Sequence, residues 1–306
     1  MSATTVRAQL LAAFHRSIGI ESANLELKWM REALDHPGTT ASGVTLEDML
    51  SRRVCGEPLQ YVLGTQPFGP LTLLTRPPVL IPRPETEDWA IRLASLRAPT
   101  RRKPLSVLDL CTGSGCIPLL ICHLWPPGSV HACGIDISED AIKLARDNAT
   151  QCDISVPEDG PVPPTDYRLW QRNTFTSLLD DIRDPAFVLS TRLHPPFDII
   201  TSNPPYISKK DYDALPSSVR DFEDSRALLG DPDVHSQEQR GLSFYHSIAG
   251  LLSDPRTLRT DGLVALEVGE GQAGEVARIL EVKARMRSID VWKDPWGKER
   301  VVVATR

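Results

Sequence analysis

The stretch Phe197-Asp198-Ile199-Ile200-Thr201-Ser202-Asn203-Pro204-Pro205-Tyr206 constrains the fold more than any other part of the chain. An apolar run closed by turn residues reads as a buried strand, and two consecutive prolines cannot continue a ladder. Proline fixes its own φ and biases the residue before it towards extended geometry, so Asn203 and Pro204 form a stiff corner at the strand end. Two acceptors are crowded there, the Asn203 side-chain oxygen and the Pro204 carbonyl, with Pro205 donating no N–H and the Tyr206 ring alongside. Such a corner suits a planar –NH2 group, which offers one hydrogen to each acceptor and a face to the ring. Asn-Pro and Pro-Pro are also ordinary turn formers, so a loop without chemistry is the alternative.

The chain has 306 residues, enough for a catalytic domain of ordinary size and a smaller companion. A formal charge of -6 argues against electrostatically driven binding of free nucleic acid. The six cysteines (Cys55, Cys111, Cys116, Cys122, Cys133 and Cys152) form no Cys-x-x-Cys pair and read as reduced thiols of an intracellular protein, with no metal site expected. No apolar stretch approaches a membrane span. The first twenty residues carry Arg7, His15 and Arg16 and no acid before Glu21, the composition of an import signal. Val6, Leu10, Leu11, Phe14 and Ile18 fit an ordinary amphipathic helix equally well.

Helical patterns cover residues 4–18, 21–34 and 45–54, the last opened by Thr45 with Asp48 three positions on. Residues 67–84 are rich in proline and glycine, with aliphatic runs at 71–75 and 79–81, and read as a β-hairpin linker. A helix follows over 85–97. After Arg101-Arg102-Lys103 the pattern becomes a βα alternation, with strands at 106–110, 130–135, 167–171, 198–202, 262–268, 288–292 and 300–304 and helices at 116–124 and 138–149. This predicts an α/β fold, a Rossmann-like, mostly parallel sheet with helices on both faces. The expected division is a helical domain over 1–66, the linker over 67–84 and the catalytic domain over 85–306. Segments 153–166 and 180–196 read as surface insertions without chemistry.

The first βα turn is Asp109-Leu110-Cys111-Thr112-Gly113-Ser114-Gly115. Glycines between a strand end and a helix let a ligand approach the backbone, and the helix N-terminus attracts its negative groups. The next strand ends at Asp136-Ile137, where a carboxylate can accept from both hydroxyls of a ribose; a helix cap before Ser138 is the other reading. Turn, acid and corner all fall on the carboxyl edge of one sheet, where open α/β folds bind ligands.

With these residues in place, the chain resembles the seven-stranded methyltransferases that use S-adenosylmethionine, and among them the HemK/PrmC release-factor glutamine methyltransferases. The resemblance covers most of the chain: Gly56-Glu57-Pro58-Leu59-Gln60-Tyr61-Val62-Leu63-Gly64, Phe68-Gly69, Val79-Leu80-Ile81-Pro82-Arg83-Pro84-Glu85-Thr86-Glu87, the glycine turn, Ile135-Asp136-Ile137-Ser138, the corner with Ile207, Leu266-Glu267-Val268-Gly269, Gln272, and Asp294-Pro295-Trp296-Gly297-Lys298-Glu299-Arg300. The chain departs from that pattern at Arg172-Asn173-Thr174, where the family usually shows Ser-Asp, and at Cys111, where glycine is common. Glu223-Asp224 replaces the usual glutamate and proline, and 231–240 is longer than expected.

The resemblance implies S-adenosylmethionine as cofactor, with S-adenosylhomocysteine as product, held by Asp109, Cys111, Thr112, Gly113, Ser114, Gly115, Asp136, Ile137, Asn173, Thr174 and Asn203. It implies Asn203, Pro204, Pro205 and Tyr206 as the catalytic corner, with Phe68, Arg83 and Glu85 walling the substrate side. For Arg83 and Glu85 a mutual salt bridge at the domain joint is the competing reading. The implied partner is a peptide chain release factor, methylated on the glutamine of its Gly-Gly-Gln loop by a monomeric enzyme in the mitochondrial matrix or cytoplasm. Methylation of another protein amide or of an adenine amino group, or a cofactor-binding scaffold without turnover, are the alternatives.

Overall fold

A computed structural model describes residues 3–35, 43–158, 171–184, 187, 193–231 and 240–306. The amino-terminal part holds α1 (Ala3–Ile18), α2 (Ile20–Asp35), α3 (Leu46–Val54) and α4 (Leu59–Leu63), then β1 (Thr65–Phe68) and β2 (Leu71–Leu74). Next come α5 (Pro84–Ser95), β3 (Leu105–Leu110), α6 (Cys116–Leu124), β4 (Val130–Asp136), α7 (Glu139–Gln151), β5 (Thr174–Leu179) and β6 (Phe197–Ser202). Short helices α8 (Lys209–Asp213), α9 (Ser217–Arg220) and α10 (Ser225–Leu228) lead to α11 (Ser243–Ser253), β7 (Leu258–Glu267), α12 (Ala273–Val282), β8 (Arg287–Lys293) and β9 (Glu299–Thr305).

The first four helices bury a cluster of their own, with Phe14, Leu27, Met30, Met49, Leu50 and Val62 at its centre. Phe14 is fully buried, so α1 takes the role of a structural helix. Thr45 and Asp48 form the reciprocal capping box that starts α3. Arg53–Glu26 ties α3 to α2, while Arg52 pairs with Glu57 in the loop after α3 and donates to the Tyr61 carbonyl on α4. The Tyr61 hydroxyl then donates 2.7 Å to the Val79 carbonyl and anchors the linker.

That linker differs from expectation. Its hairpin pairs residues 65–68 with 71–74 around Gly69 at φ +55°, while 79–81 lies outside any strand, opened by a bend at Val79. Asn148, fully buried on α7, holds it in place, accepting from the Leu74 N–H at 2.6 Å and donating to the carbonyls of Leu74 and Ser114.

The main sheet has seven strands in the order β5-β4-β3-β6-β7-β9-β8, parallel except for β9. Alternate residues feed two cores. Val107, Ala132, Ile199 and Ala265 face α5, α6 and α7, while Leu108, Cys133, Ile200 and Val264 face α11 and α12. In register, Leu110 lies opposite both Ile135 and Ser202, and Asp136 opposite Leu179, so four strand tips end together. From β3 the chain runs outward to β4 and β5, then crosses back to β6 on the other side. The gap between β3 and β6 is therefore the topological switch point.

The third strand is displaced from its expected position. Of residues 167–171 only Gln171 is described, and it lies in no strand; the strand beside β4 is β5. The expected insertions at 153–166 and 231–240 fall largely outside the described residues.

Candidate active site

The strand tips floor a cavity of about 390 Å³, within the range of small-molecule sites. Residues 78–80 form one wall and 224–227 the other, with Phe244 at the side. The two walls are clasped together: the Asp224 N–H donates 2.8 Å to the Pro78 carbonyl, and Arg83 donates to both oxygens of Glu223 at 2.7 and 2.6 Å.

The glycine turn divides its labour. Gly113 adopts φ +55° beside the cavity, and a Cβ there would meet nothing within 4 Å, which leaves its face open to a ligand. Cys111, also on the lining, sits at φ 57°, the left-handed region that explains why glycine suits this position. Gly115 serves packing instead, because a Cβ would lie 3.2 Å from Ala145 Cβ and from Leu119 Cδ1. Asp109, Thr112 and Ser114 do not line the cavity. Asp109 is fully buried beneath the turn, where its two oxygens accept from Thr112 Oγ1 at 2.7 Å and Thr201 Oγ1 at 2.6 Å. Burial pushes its carboxyl up to about 7. It shapes the turn and makes no direct approach to a ligand in the cavity.

Asp136 braces the backbone on both sides and faces the cavity. Its Oδ1 accepts from the Ser138 N–H at 2.9 Å and its Oδ2 from the Gly113 N–H at 2.8 Å, yet it also lines the cavity with Ile137. Each oxygen retains a lone pair for a further donor. Burial raises its carboxyl above the ordinary range, opposed by these backbone hydrogen bonds.

The displaced third strand moves two candidates away from the site. Asn173 and Thr174 stand at the amino-terminal start of β5, a full strand length from the cavity. Asn173 accepts from the N–H groups of Ser129 and Val130 and donates to the carbonyls of Cys122 and Trp125, a buried structural role. The carboxyl end of β5 leads instead into Asp180, Asp181 and Ile182, which line the cavity. Residues 180–183, read as part of an inert insertion, thus belong to the site. The signal was present: Asp180 follows Leu178-Leu179 as Asp136 follows Ile135, an acid at a strand tip.

At the corner, Asn203 and Pro205 line the cavity while Pro204 is buried and Tyr206 turns away from it. Burial beside the Glu267 carboxylate pushes the Tyr206 hydroxyl up, so the ring stays neutral. Gln272 locks the backbone, its Nε2 donating to the carbonyls of Tyr206 and Arg240 and its Oε1 accepting from the Gly269 N–H. Asn203 Nδ2 donates 3.3 Å to Thr86 Oγ1, and Thr86 in turn donates 2.6 Å to the buried Glu267.

The substrate side is built differently from expectation. Phe68 is fully buried in the core with Leu71, Trp89 and Leu120 and walls nothing, because β1 turns that face inward. Arg83 pairs with Glu223 and not with Glu85, so the expected mutual salt bridge is replaced by one to the loop after the corner. Glu85, in the first turn of α5, borders a shallow recess with Arg92, Asp294 and Arg300. Among the described residues no group of three or more His, Cys, Asp or Glu is placed to hold a metal ion, and no helix is long and apolar enough to cross a membrane.

No protein-family model matches the chain. It is, however, 33% identical over 298 residues to the release factor glutamine methyltransferase of Geobacter sulfurreducens, covering 93% of this chain and 90% of that one. The chain belongs to the release factor glutamine methyltransferase family. Another member, from Thermodesulfovibrio yellowstonii, is 30% identical over 87% of this chain and 82% of its own. The mitochondrial MRF1 N(5)-glutamine methyltransferase MTQ1 of Saccharomyces cerevisiae is 35% identical over 71% of this chain and 62% of its own. Membership in the release factor glutamine methyltransferases accords with the seven-stranded sheet and with a polar corner placed at a cavity over its switch point.

Proposed function

We propose that this chain transfers a methyl group from S-adenosylmethionine to the side-chain amide nitrogen of the glutamine in the Gly-Gly-Gln loop of a peptide chain release factor. The observation that carries this reading is the position of Asn203. It stands at the edge of the cavity with its Nδ2 engaged by Thr86, which leaves its Oδ1 as an acceptor.

The cavity fits the cofactor by the chemistry of its lining. Gly113 presents open backbone, Asp136 and Asp180 supply acceptors at two strand tips for ribose hydroxyls and an adenine amino group, and Val79, Leu80 and Ile137 give apolar faces. When bound, S-adenosylmethionine supplies an electrophilic methyl group on a sulfonium. The protein's task is to present a poor nucleophile. An amide nitrogen is delocalised into its carbonyl, and the Asn203 oxygen and Pro204 carbonyl hold its two hydrogens and favour positive charge developing on it. Alignment then replaces a strong base, and after transfer the N-protonated amide passes its extra proton to solvent water.

Residues 1–66 form the proposed docking part, 67–84 the linker and 85–306 the methyltransferase part; a separate hydrophobic cluster under the first four helices supports the division. Relatives in Saccharomyces cerevisiae and Schizosaccharomyces pombe are named as mitochondrial enzymes acting on MRF1, which supports a mitochondrial release factor as substrate. Mass spectrometry of the Gly-Gly-Gln peptide, after incubation of the factor with cofactor and this protein, tests the reading. A gain of one methyl on the glutamine is expected, and an unmodified peptide overturns it.

A further inference from the structure

Glu267 is 1% exposed at the end of β7 and takes no part in the mechanism above. Its Oε2 accepts two hydrogen bonds, from Trp89 Nε1 at 2.8 Å and from Thr86 Oγ1 at 2.6 Å. An indole N–H can only donate and an ionised carboxylate can only accept, so with Glu267 ionised the single hydroxyl hydrogen of Thr86 is committed to it. What Thr86 then shows to Asn203 is a lone pair. Asn203 faces it with Nδ2, at 3.3 Å.

The two ends of an amide have nearly the same shape, and the surrounding hydrogen bonds decide which end lies where. Were Asn203 turned over, its oxygen would meet the Thr86 oxygen and its NH2 would meet the reacting amide, donor against donor. We propose that Glu267 and Thr86 are positioning residues that fix the orientation of Asn203, turning its oxygen to the substrate amide. The inference rests on the proposed amide methylation. It explains why a buried carboxylate, costly unless satisfied, is kept within two hydrogen bonds of the corner.

The test is Thr86→Val, which keeps the shape and removes the hydroxyl, in single-turnover methylation of the release factor by the full chain. The rate should fall by about tenfold or more, as misplacement of a preorganised polar group does. Cofactor affinity and KM for the factor should stay within about twofold, and Thr86→Ser should restore the rate. A second background separates orientation from structure. A carboxylate at position 203 accepts whichever way it is turned, so in Asn203→Asp the further change Thr86→Val should cost less than about twofold. Equal losses in both backgrounds, or a wild-type rate for Thr86→Val, overturn the proposal. If the wild-type chain itself leaves the factor unmethylated, the failure lies in the functional reading instead.

Discussion

The Gln272 side chain donates from Nε2 to the main-chain carbonyl of Tyr206 at 2.9 Å, joining the start of α12 to the corner after β6. The same amide reaches Arg240, and Gly241 packs so closely on the Tyr206 carbonyl that a Cβ there would collide with it. The corner is therefore held from behind, out of reach of the cavity. Gln272→Ala should cost about 1–3 kcal/mol of stability, since it strands hydrogen-bonding groups in a partly buried place. It should also slow methylation without weakening cofactor binding. Urea unfolding and calorimetry check both parts, and an unchanged rate would show that the corner needs no such support.

Asp136 gives a prediction for the cofactor. With its backbone contacts already made, its remaining acceptor capacity faces the cavity. Asp136→Asn should lose about 1.5–3 kcal/mol of S-adenosylmethionine binding, the range for a hydrogen bond to a charged group. An affinity equal to wild type by calorimetry would leave Asp136 as a turn and cap residue only.

At Gly115 the structure supplies a packing reason for glycine. A Cβ would press on Ala145 and Leu119 in a backbone that already sits at φ +79°. Gly115→Ala should therefore destabilise the fold by about 1–3 kcal/mol through overpacking, while the folded fraction binds cofactor normally. Thermal unfolding set beside calorimetric affinity distinguishes this from a binding defect with unchanged stability.

Asp109 predicts a pH dependence. Its carboxyl is raised from the ordinary 3.8 to about 7 by burial, against the pull of the Thr201 and Thr112 hydroxyls. Below about pH 4 both folded and unfolded chains are protonated there. As pH rises towards about 7 the unfolded chain ionises while the folded one keeps its proton, so stability from this group declines through that window and levels off above it. Asp109→Asn cannot titrate. The stability of wild type relative to this variant should fall between about pH 4 and pH 7 in urea titrations. A difference that stays constant across the window would show that Asp109 is ionised in the fold.

Much of this architecture was legible because the central strands are buried on both faces and so read as continuous apolar runs. Residues 105–110, 130–136 and 197–202 are apolar runs with turn residues at their ends, and they became β3, β4 and β6 with Gly113, Asp136 and Asn203 at their tips. The third strand was not legible in the same way. Thr174–Leu179 reads Thr-Phe-Thr-Ser-Leu-Leu, polar and apolar mixed, because its hydroxyls find partners inside: Thr174 meets His131, and Ser177 donates to the Ile142 carbonyl. Propensity alone favoured the aromatic stretch before it, and that choice carried Asn173 to the wrong end of the strand and hid Asp180. Phe68 was missed for a different reason. A two-stranded hairpin shows one face in and one face out, and nothing local says which. The Arg83–Glu223 pair and the Glu267–Thr86–Asn203 chain join residues more than a hundred positions apart, and only the closed fold brings them together.

The most direct test of the account is single-turnover methylation of the release factor by Asn203→Ala at saturating cofactor and substrate. The side chain is partly buried at the rim of the cavity and its one described hydrogen bond is to Thr86, so its loss should leave the fold and cofactor affinity intact. The rate should fall by about 10²–10³, the scale for deleting one preorganised polar contact to a transition state. Turnover at the wild-type rate would mean that the corner is only a turn, and that the chemistry proposed for it is wrong.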